Sequence, residues 1–272
     1  MDTQTFARFR DLIYERCGIV LSNEKQALLS SRIQKRLRAK GLASEKQYLE
    51  IIEIDASGEE LIQLIDAIST NTTYFWREAE HFALFERILN DWKAEGKTHY
   101  RIWCAASSYG QEPYTLAMKV HQVLGASQFD ARILATDIST KALKRASDGV
   151  YADEDIKKLP TQLRDKYFKQ TESDDDALFS HWAVNKTVRE LVLFKRLNLI
   201  EFPYPLKGPL DVIFCRNVMI YFDLSTRQKI IDEMTRLLAP GGFLFLSLSE
   251  SLLGIVHSLE RAGLSIFRKA HQ

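Results

Sequence analysis

The sequence predicts an α/β protein in which an open, Rossmann-like sheet domain follows an all-helical N-terminal domain and carries a small inserted β subdomain. Three observations carry this reading. Residues 1–70 place apolar side chains at helical spacing and offer no convincing strand. Beyond Thr98 apolar strands alternate with helices, the signature of a parallel sheet covered on both faces. Within that part, Arg101 to Asp137 runs through strand, glycine-containing turn, amphipathic helix, strand and terminal acid, the order in which an open sheet holds an adenosine-type ligand.

The elements follow in order. Phe6, Phe9, Leu12 and Ile13 share one helix face; Ser22 with Asn23, Glu24 and Lys25 reads as a helix start, and the stripe Leu29, Ile33, Leu37 ends at Gly41. Ser44 opens a helix bearing Tyr48, Leu49 and Ile52, and Ser57-Gly58 separates it from Leu61, Leu64, Ile65 and Ile68. Residues 71–98 are expected to be a linker and helix that contribute to the active site, because STNTTYFWREAEHF (Ser69 to Phe82) is too rich in hydroxyls and aromatics for a mere connection. The sheet domain spans 99–272, with strands at Tyr100 to Ala105, Arg132 to Thr136, Leu191 to Leu197, Leu210 to Cys215 and Gly242 to Leu248. Tyr151 to Glu190 breaks the alternation. It carries a helix around Leu159 to Phe168, the run Asp174, Asp175, Asp176, and then short strands, which places the β subdomain at about 165–192.

A chain of 272 residues, 46% of them hydrophobic, can bury an ample core, and a formal net charge of +1 gives no bulk attraction to nucleic acid or to a membrane surface. Cys17, Cys104 and Cys215 are odd in number and widely spaced, which reads as buried reduced thiols in a cytoplasmic protein. No apolar run approaches the roughly 20 residues that span a bilayer, and no export signal is read. The six histidines are scattered, so no metal site is expected, and there is no G-x-S-x-G elbow of a hydrolase.

The turn after the first strand selects the ligand. Only Gly110 lies between Ala106 and Tyr114, so the triple-glycine pyrophosphate cradle is missing. Ala105, Ala106, Ser107 and Ser108 fill the turn, and Glu112 follows, an acid that repels a diphosphate and attracts a sulfonium. S-adenosylmethionine fits better than NAD. Asp137, at a strand's carboxyl end, reads as the ribose acceptor or as the cap of a helix beginning at Ser139. Glu112 also reads as a helix N-terminal charge answering the macrodipole. Asn198-Leu199 reads as part of an adenine pocket or as a turn. Arg216 and Asn217 interrupt the apolar run VIFCRNVMIYF and need polar partners, which places a site at that strand's end.

Five separated segments, STNTTYFWRE (Ser69 to Glu78), AASSYGQEPYT (Ala105 to Thr115), ATDIS (Ala135 to Ser139), Asn198-Leu199 and FCRNVMIYF (Phe214 to Phe222), resemble the chemotaxis receptor glutamate methyltransferases of the CheR type. The resemblance spans nearly the whole chain. It implies S-adenosylmethionine-dependent O-methylation of glutamates on the cytoplasmic helices of methyl-accepting chemotaxis proteins, giving methyl esters and S-adenosylhomocysteine. By match it assigns Asn71, Thr73 and Arg77 to the cofactor and active site, beside Glu112, Asp137, Asn198, Leu199, Arg216 and Asn217. A glutamate with pKa about 4.3 is ionised at neutral pH, so methyl transfer to it needs alignment and no general base. Arg77 is the candidate for drawing that carboxylate in and Tyr221 for orienting it, with core packing as the other reading of Tyr221.

The expected partner is the helical bundle of a receptor's cytoplasmic part. In the basic run Arg32, Arg36 and Lys40 recur every four residues, joined by Lys25, Lys35 and Arg38; alone this is a solvated helix face, and the resemblance makes it a receptor contact. Some members of the family hold a C-terminal peptide tether of the receptor on a glycine-containing β hairpin. Thr171 to Val184 has no glycine and three consecutive aspartates, so the tether is not supported here. Two alternatives stand beside the main reading: a methyltransferase of another acceptor, and a non-catalytic cofactor-binding scaffold.

Overall fold

Helix α1 (Thr3–Cys17) starts where Asp2 accepts the Thr5 amide at 2.8 Å and stops at Gly18, whose φ of 71° ends the helix. A side chain at Gly18 would meet Ile200 Cγ2 at 2.6 Å, so the close approach also requires glycine there. Helices α2 (Gln26–Lys40), α3 (Glu45–Ile54) and α4 (Glu59–Ile68) follow, α3 capped by Ser44. Their stripes meet in one cluster, in which Phe9, Ile13, Ile33, Tyr48, Leu49 and Leu64 are wholly buried. Burying a side chain of this size contributes about 1.5–3 kcal/mol. The computed structural model describes residues 1–125, 129–171 and 181–271.

This packing corrects the reading of the basic stripe as an open face. Arg36 turns inward and holds the Glu60 carboxylate through Nε at 2.9 Å and Nη2 at 2.7 Å, while Lys40 Nζ reaches the same carboxylate at 2.9 Å. Arg32 bonds the carbonyl oxygen of Ile68, with that of Ser69 at 3.3 Å, satisfying orphan carbonyls at the end of α4. Lys35 and Arg38 remain exposed.

A turn over residues 75–78 leads into α5 (Ala79–Ala94), and the sheet then begins with β1 (His99–Cys104), α6 (Gln111–Leu124), β2 (Asp130–Asp137) and α7 (Thr140–Asp148). Next come β3 (Val150–Ala152), α8 (Asp153–Ile156), α9 (Thr161–Tyr167), β4 (Phe168–Thr171), β5 (His181–Val184) and α10 (Lys186–Arg189). The chain closes with β6 (Val192–Arg196), β7 (Leu210–Phe214), α11 (Leu224–Leu237), β8 (Leu238–Phe245), β9 (Glu260–Gly263) and β10 (Ile266–Arg268). The main sheet runs β6-β2-β1-β7-β8-β10-β9; the first five strands are parallel, β10 pairs antiparallel with β8, and β9 pairs antiparallel with β10.

Alternation along the strands feeds two cores. Ile102, Val212, Phe214, Phe243 and Phe245 point to the face covered by α5 and α6, while Trp103, Ile213, Leu244 and Leu246 point to the face covered by α11. The hairpin β9–β10 is additional to the expected strands. The β subdomain is a three-stranded antiparallel sheet, β3-β5-β4, and draws β3 from before residue 165. Phe75 packs edge-on against Tyr151 at 5.0 Å and Phe168 at 5.4 Å, so this small sheet braces the segment that precedes α5. The Asp174 to Asp176 run lies outside the described residues.

Candidate active site

The chain passes from β1 to β2 on one side and later returns to β7 on the other, so a crevice opens at the carboxyl ends of β1 and β7, where open sheets bind ligands. Of the five loops that leave the parallel strands at that edge, four face the crevice, those after β1, β2, β6 and β7. With α1, α2 and the segment before α5 they line a cleft of about 1140 Å³, including its open mouth, ample for a nucleoside-sized ligand and an arriving side chain. Asn71, Thr73, Arg77, Glu112, Asp137, Asn198, Leu199, Arg216, Asn217 and Tyr221 all line this one cleft.

The loop after β1 is tight. Gly110 has φ of 93°, and a Cβ there would meet Tyr151 Oη at 2.7 Å and Ala146 Cβ at 2.9 Å. Ser108, also at positive φ, donates its amide to Asp137 Oδ2 at 2.8 Å, and its hydroxyl reaches the Asn71 carbonyl at 3.1 Å. Asp137 Oδ1 accepts the Ser139 amide at 2.9 Å, but the cap of α7 is the Ser139 hydroxyl itself, which accepts the Ala142 amide. Asp137 thus joins two loops and keeps acceptor capacity toward the cleft. Burial raises its pKa, against the opposing backbone bonds from Ser139 and Ser108.

Glu112 is not a free acid. Arg216 Nη1 bonds its Oε2, and Cys104 Sγ donates to its Oε1 at 3.2 Å. The Arg216 side chain is fully buried; its Nη2 reaches the Arg77 carbonyl at 2.6 Å and Glu78 Oε2 at 3.1 Å. Asn217, at φ of 59°, donates Nδ2 to Ser247 Oγ at 2.6 Å and its amide to Glu250 Oε2 at 3.0 Å. Glu250 also accepts the Ser247 amide at 2.8 Å and the Met219 amide at 2.9 Å, and burial raises its pKa against those bonds.

Asn198 commits its amide elsewhere: Nδ2 donates to the Arg16 carbonyl at 2.8 Å and to Glu201 Oε1 at 3.1 Å, tying α1 to the end of β6. Its neighbours Leu197 and Leu199, with Ile138, supply apolar wall. Arg77 donates Nη1 to the Thr72 carbonyl at 2.8 Å and pairs with no carboxylate among the described residues. Tyr221 ends a short 3₁₀ turn (Met219–Tyr221); its carbonyl accepts the Val20 amide at 2.9 Å, and its hydroxyl has no hydrogen bond among the described residues.

Sequence reasoning missed Glu78, Ser247 and Glu250, the network beneath Asn217. The only signal for Glu78 was its place at the end of the STNTTYFWRE segment; Ser247 fell inside the expected strand Gly242 to Leu248, which in the structure ends at Phe245, and Glu250 stood just past it, the kind of position that pointed to Asp137. The cleft fits an adenosyl sulfonium: a buried carboxylate faces it for ribose hydroxyls, leucine and isoleucine walls suit a purine, and the carboxylate–arginine network offers no cationic cradle for a pyrophosphate. No group of His, Cys, Asp and Glu among the described residues could hold a metal ion.

Comparison with known proteins places a family match over almost the entire cleft-forming chain. The model described as "CheR methyltransferase, SAM binding domain" matches residues 71–267, and that described as "CheR methyltransferase, all-alpha domain" matches residues 4–69. A protein named chemotaxis protein methyltransferase from Escherichia coli (strain K12) is 37% identical over 262 residues, covering 96% of this chain and 89% of that one. One of the same name from Borreliella burgdorferi is 37% identical over 259 residues, covering 91% of this chain and 88% of its own.

Proposed function

This chain belongs to the CheR methyltransferase family and uses S-adenosylmethionine, and from that premise we propose that it methylates glutamate side chains on the cytoplasmic helices of a chemoreceptor, for sensory adaptation. The observation that carries the acceptor assignment is the contrast between two arginines of the cleft. Arg216 is paired through Nη1 and Nη2 with Glu112 and Glu78, whereas Arg77 lines the same cleft with no carboxylate partner among the described residues.

The bound cofactor supplies a methyl group on a sulfonium. The chain's own residues do the rest. Asp137 accepts from the ribose, Leu197 and Leu199 wall the base, and Asn71, Thr73 and Asn217 offer polar contacts along the cleft. Arg77 draws the acceptor carboxylate in by a charge-assisted contact, and the Tyr221 hydroxyl orients it. The carboxylate arrives ionised, so no residue need remove a proton; what the site supplies is alignment and exclusion of water.

A macromolecular acceptor is supported by the surroundings of Tyr221. Ile220 is 51% and Leu224 53% exposed, and Leu253 and Val256 are more so, 88% and 81%. Gly254, between the last two in sequence, lies beside Leu224, since a Cβ there would lie 3.4 Å from Leu224 Cδ1, and the Val256 backbone exchanges two bonds of 2.8 Å with the side-chain amide of Gln228 in α11: its carbonyl accepts from Nε2 and its amide donates to Oε1. This apolar rim suits a protein surface more than a small solute.

The test is transfer of labelled methyl from S-adenosylmethionine to a soluble cytoplasmic receptor fragment. Label is expected in the wild-type fragment and not in one whose candidate glutamates are changed to alanine; equal label in both would remove the glutamate assignment.

A further inference from the structure

Glu78 has no part in the assignments above, yet it is the residue on which the acceptor side of the cleft converges. Its Oε1 accepts from Ser247 Oγ at 2.8 Å and lies 3.5 Å from Asn217 Nδ2; its Oε2 accepts the Leu248 amide at 3.0 Å and meets Arg216 Nη2 at 3.1 Å. The Glu78 side chain is 14% exposed and that of Arg216 is fully buried. Arg216 also lies 5.5 Å over the Phe82 ring, and Nη2 bonds the Arg77 carbonyl at 2.6 Å. A guanidinium so enclosed holds together the protein parts that surround it.

The backbone gives the reason such a hold is needed. Trp76 and Glu78, on either side of Arg77, have φ of 61° and 59°, and Asn217 across the network has φ of 59°. A bulky or charged non-glycine residue such as Trp76 or Glu78 is disfavoured in that region and persists there only where its surroundings over-determine it, while asparagine tolerates it better. The contacts of Glu78 do this at both ends. They fix its own conformation, and through Arg216 they grip the carbonyl of Arg77.

We propose that Glu78 is a positioning residue for methyl transfer: with Arg216 it clamps the backbone around Arg77, so that the Arg77 guanidinium is aimed at the acceptor carboxylate. The proposal rests on the acceptor reading given above. In a purely structural role Glu78 would neutralise Arg216 and leave Arg77 indifferent to it; the clamp makes the two residues energetically coupled.

The experiment is a double-mutant cycle on the full chain with wild type, Glu78→Gln, Arg77→Ala and the pair. It measures single-turnover methyl transfer to a receptor fragment and calorimetric affinity for S-adenosylhomocysteine. Glu78→Gln is expected to slow transfer by about 10- to 100-fold, the scale of a misaligned group, with cofactor affinity changed less than about threefold. In the Arg77→Ala background the same change is expected to cost less than about threefold, because what it would misplace is already gone. Additive losses, or transfer in Glu78→Gln within about threefold of wild type, overturn the proposal. Glu78→Asp keeps the charge on a shorter arm and carries the same cycle if Glu78→Gln does not fold. A wild type that binds S-adenosylhomocysteine and transfers nothing to the receptor fragment overturns the acceptor reading and this proposal with it, whereas wild-type transfer with additive losses overturns this proposal alone.

Discussion

Arg36 and Glu60 form a forked ion pair between α2 and α4, with Nε at 2.9 Å and Nη2 at 2.7 Å from the same carboxylate oxygen. Burial works to raise the pKa of Glu60, but Lys40 and Arg36 hold it below its ordinary value. The stability this contributes is present above the ordinary carboxylate range and is lost as pH falls through the lowered value. Arg36→Ala is expected to lower stability at neutral pH by about 1–3 kcal/mol, read by urea denaturation. The KM for a receptor fragment is expected to respond instead to Lys35→Glu and Arg38→Glu, with a shift that shrinks at high salt.

Asp137 carries the ribose assignment. Asp137→Ala is expected to weaken S-adenosylhomocysteine binding by one or more kcal/mol, about fivefold or more in Kd, in calorimetric titration. Because burial raises the Asp137 pKa and ribose hydroxyls donate to its ionised form, affinity is expected to fall on mild acidification sooner than an ordinary aspartate would allow. In Asp137→Asn that part of the pH dependence should vanish.

Asp223 joins the helical region to the sheet domain beside Tyr221. It accepts the Thr226 amide at 2.8 Å as the cap of α11 and the Tyr14 hydroxyl at 2.6 Å, and these bonds hold its pKa well below the usual carboxylate range. Asp223→Ala is expected to cost about 1 kcal/mol at neutral pH, the usual price of a lost cap. A depressed carboxylate stabilises above its unfolded pKa, so the gap between variant and wild type should narrow as pH falls through the folded value. Thermal midpoints measured against pH check both statements.

The apolar rim beside Tyr221 gives a separate handle on the acceptor. Leu253→Asp with Val256→Asp is expected to raise the receptor-fragment KM by about fivefold to tenfold, the scale of one lost apolar anchor, without changing S-adenosylhomocysteine affinity. Steady-state kinetics and calorimetry on the same variant separate the two; a weakened cofactor with unchanged KM would contradict the rim's role.

Strands β1, β2, β7 and β8 were legible because each buries a near-continuous apolar run, and the edge strand β6 through its apolar Val192, Leu193 and Phe194, although none of its residues is fully buried. The positions of Asp137 and Asn217 followed from strand ends, which is where open sheets put ligands, and that of Glu112 from the start of the helix after β1. The hairpin β9–β10 was not, since strands of four and three residues leave too little pattern. The basic stripe misled for a tertiary reason. Period alone shows that Arg32, Arg36 and Lys40 share a face; it cannot show that α4, folding back, presents Glu60 to it. Glu78 was invisible for the same reason on a larger scale, because Ser247, one of its main partners, lies 169 positions away.

The most direct test is the chemical nature of the methyl linkage that this protein forms on a receptor fragment. A carboxylate acceptor gives an ester, so mild alkali is expected to release the label as methanol, and Arg77→Ala and Tyr221→Phe should reduce the amount formed without changing its alkali-lability. Label that resists alkali, as methyl on nitrogen does, would contradict glutamate as the acceptor and leave the cleft's cofactor chemistry serving another substrate.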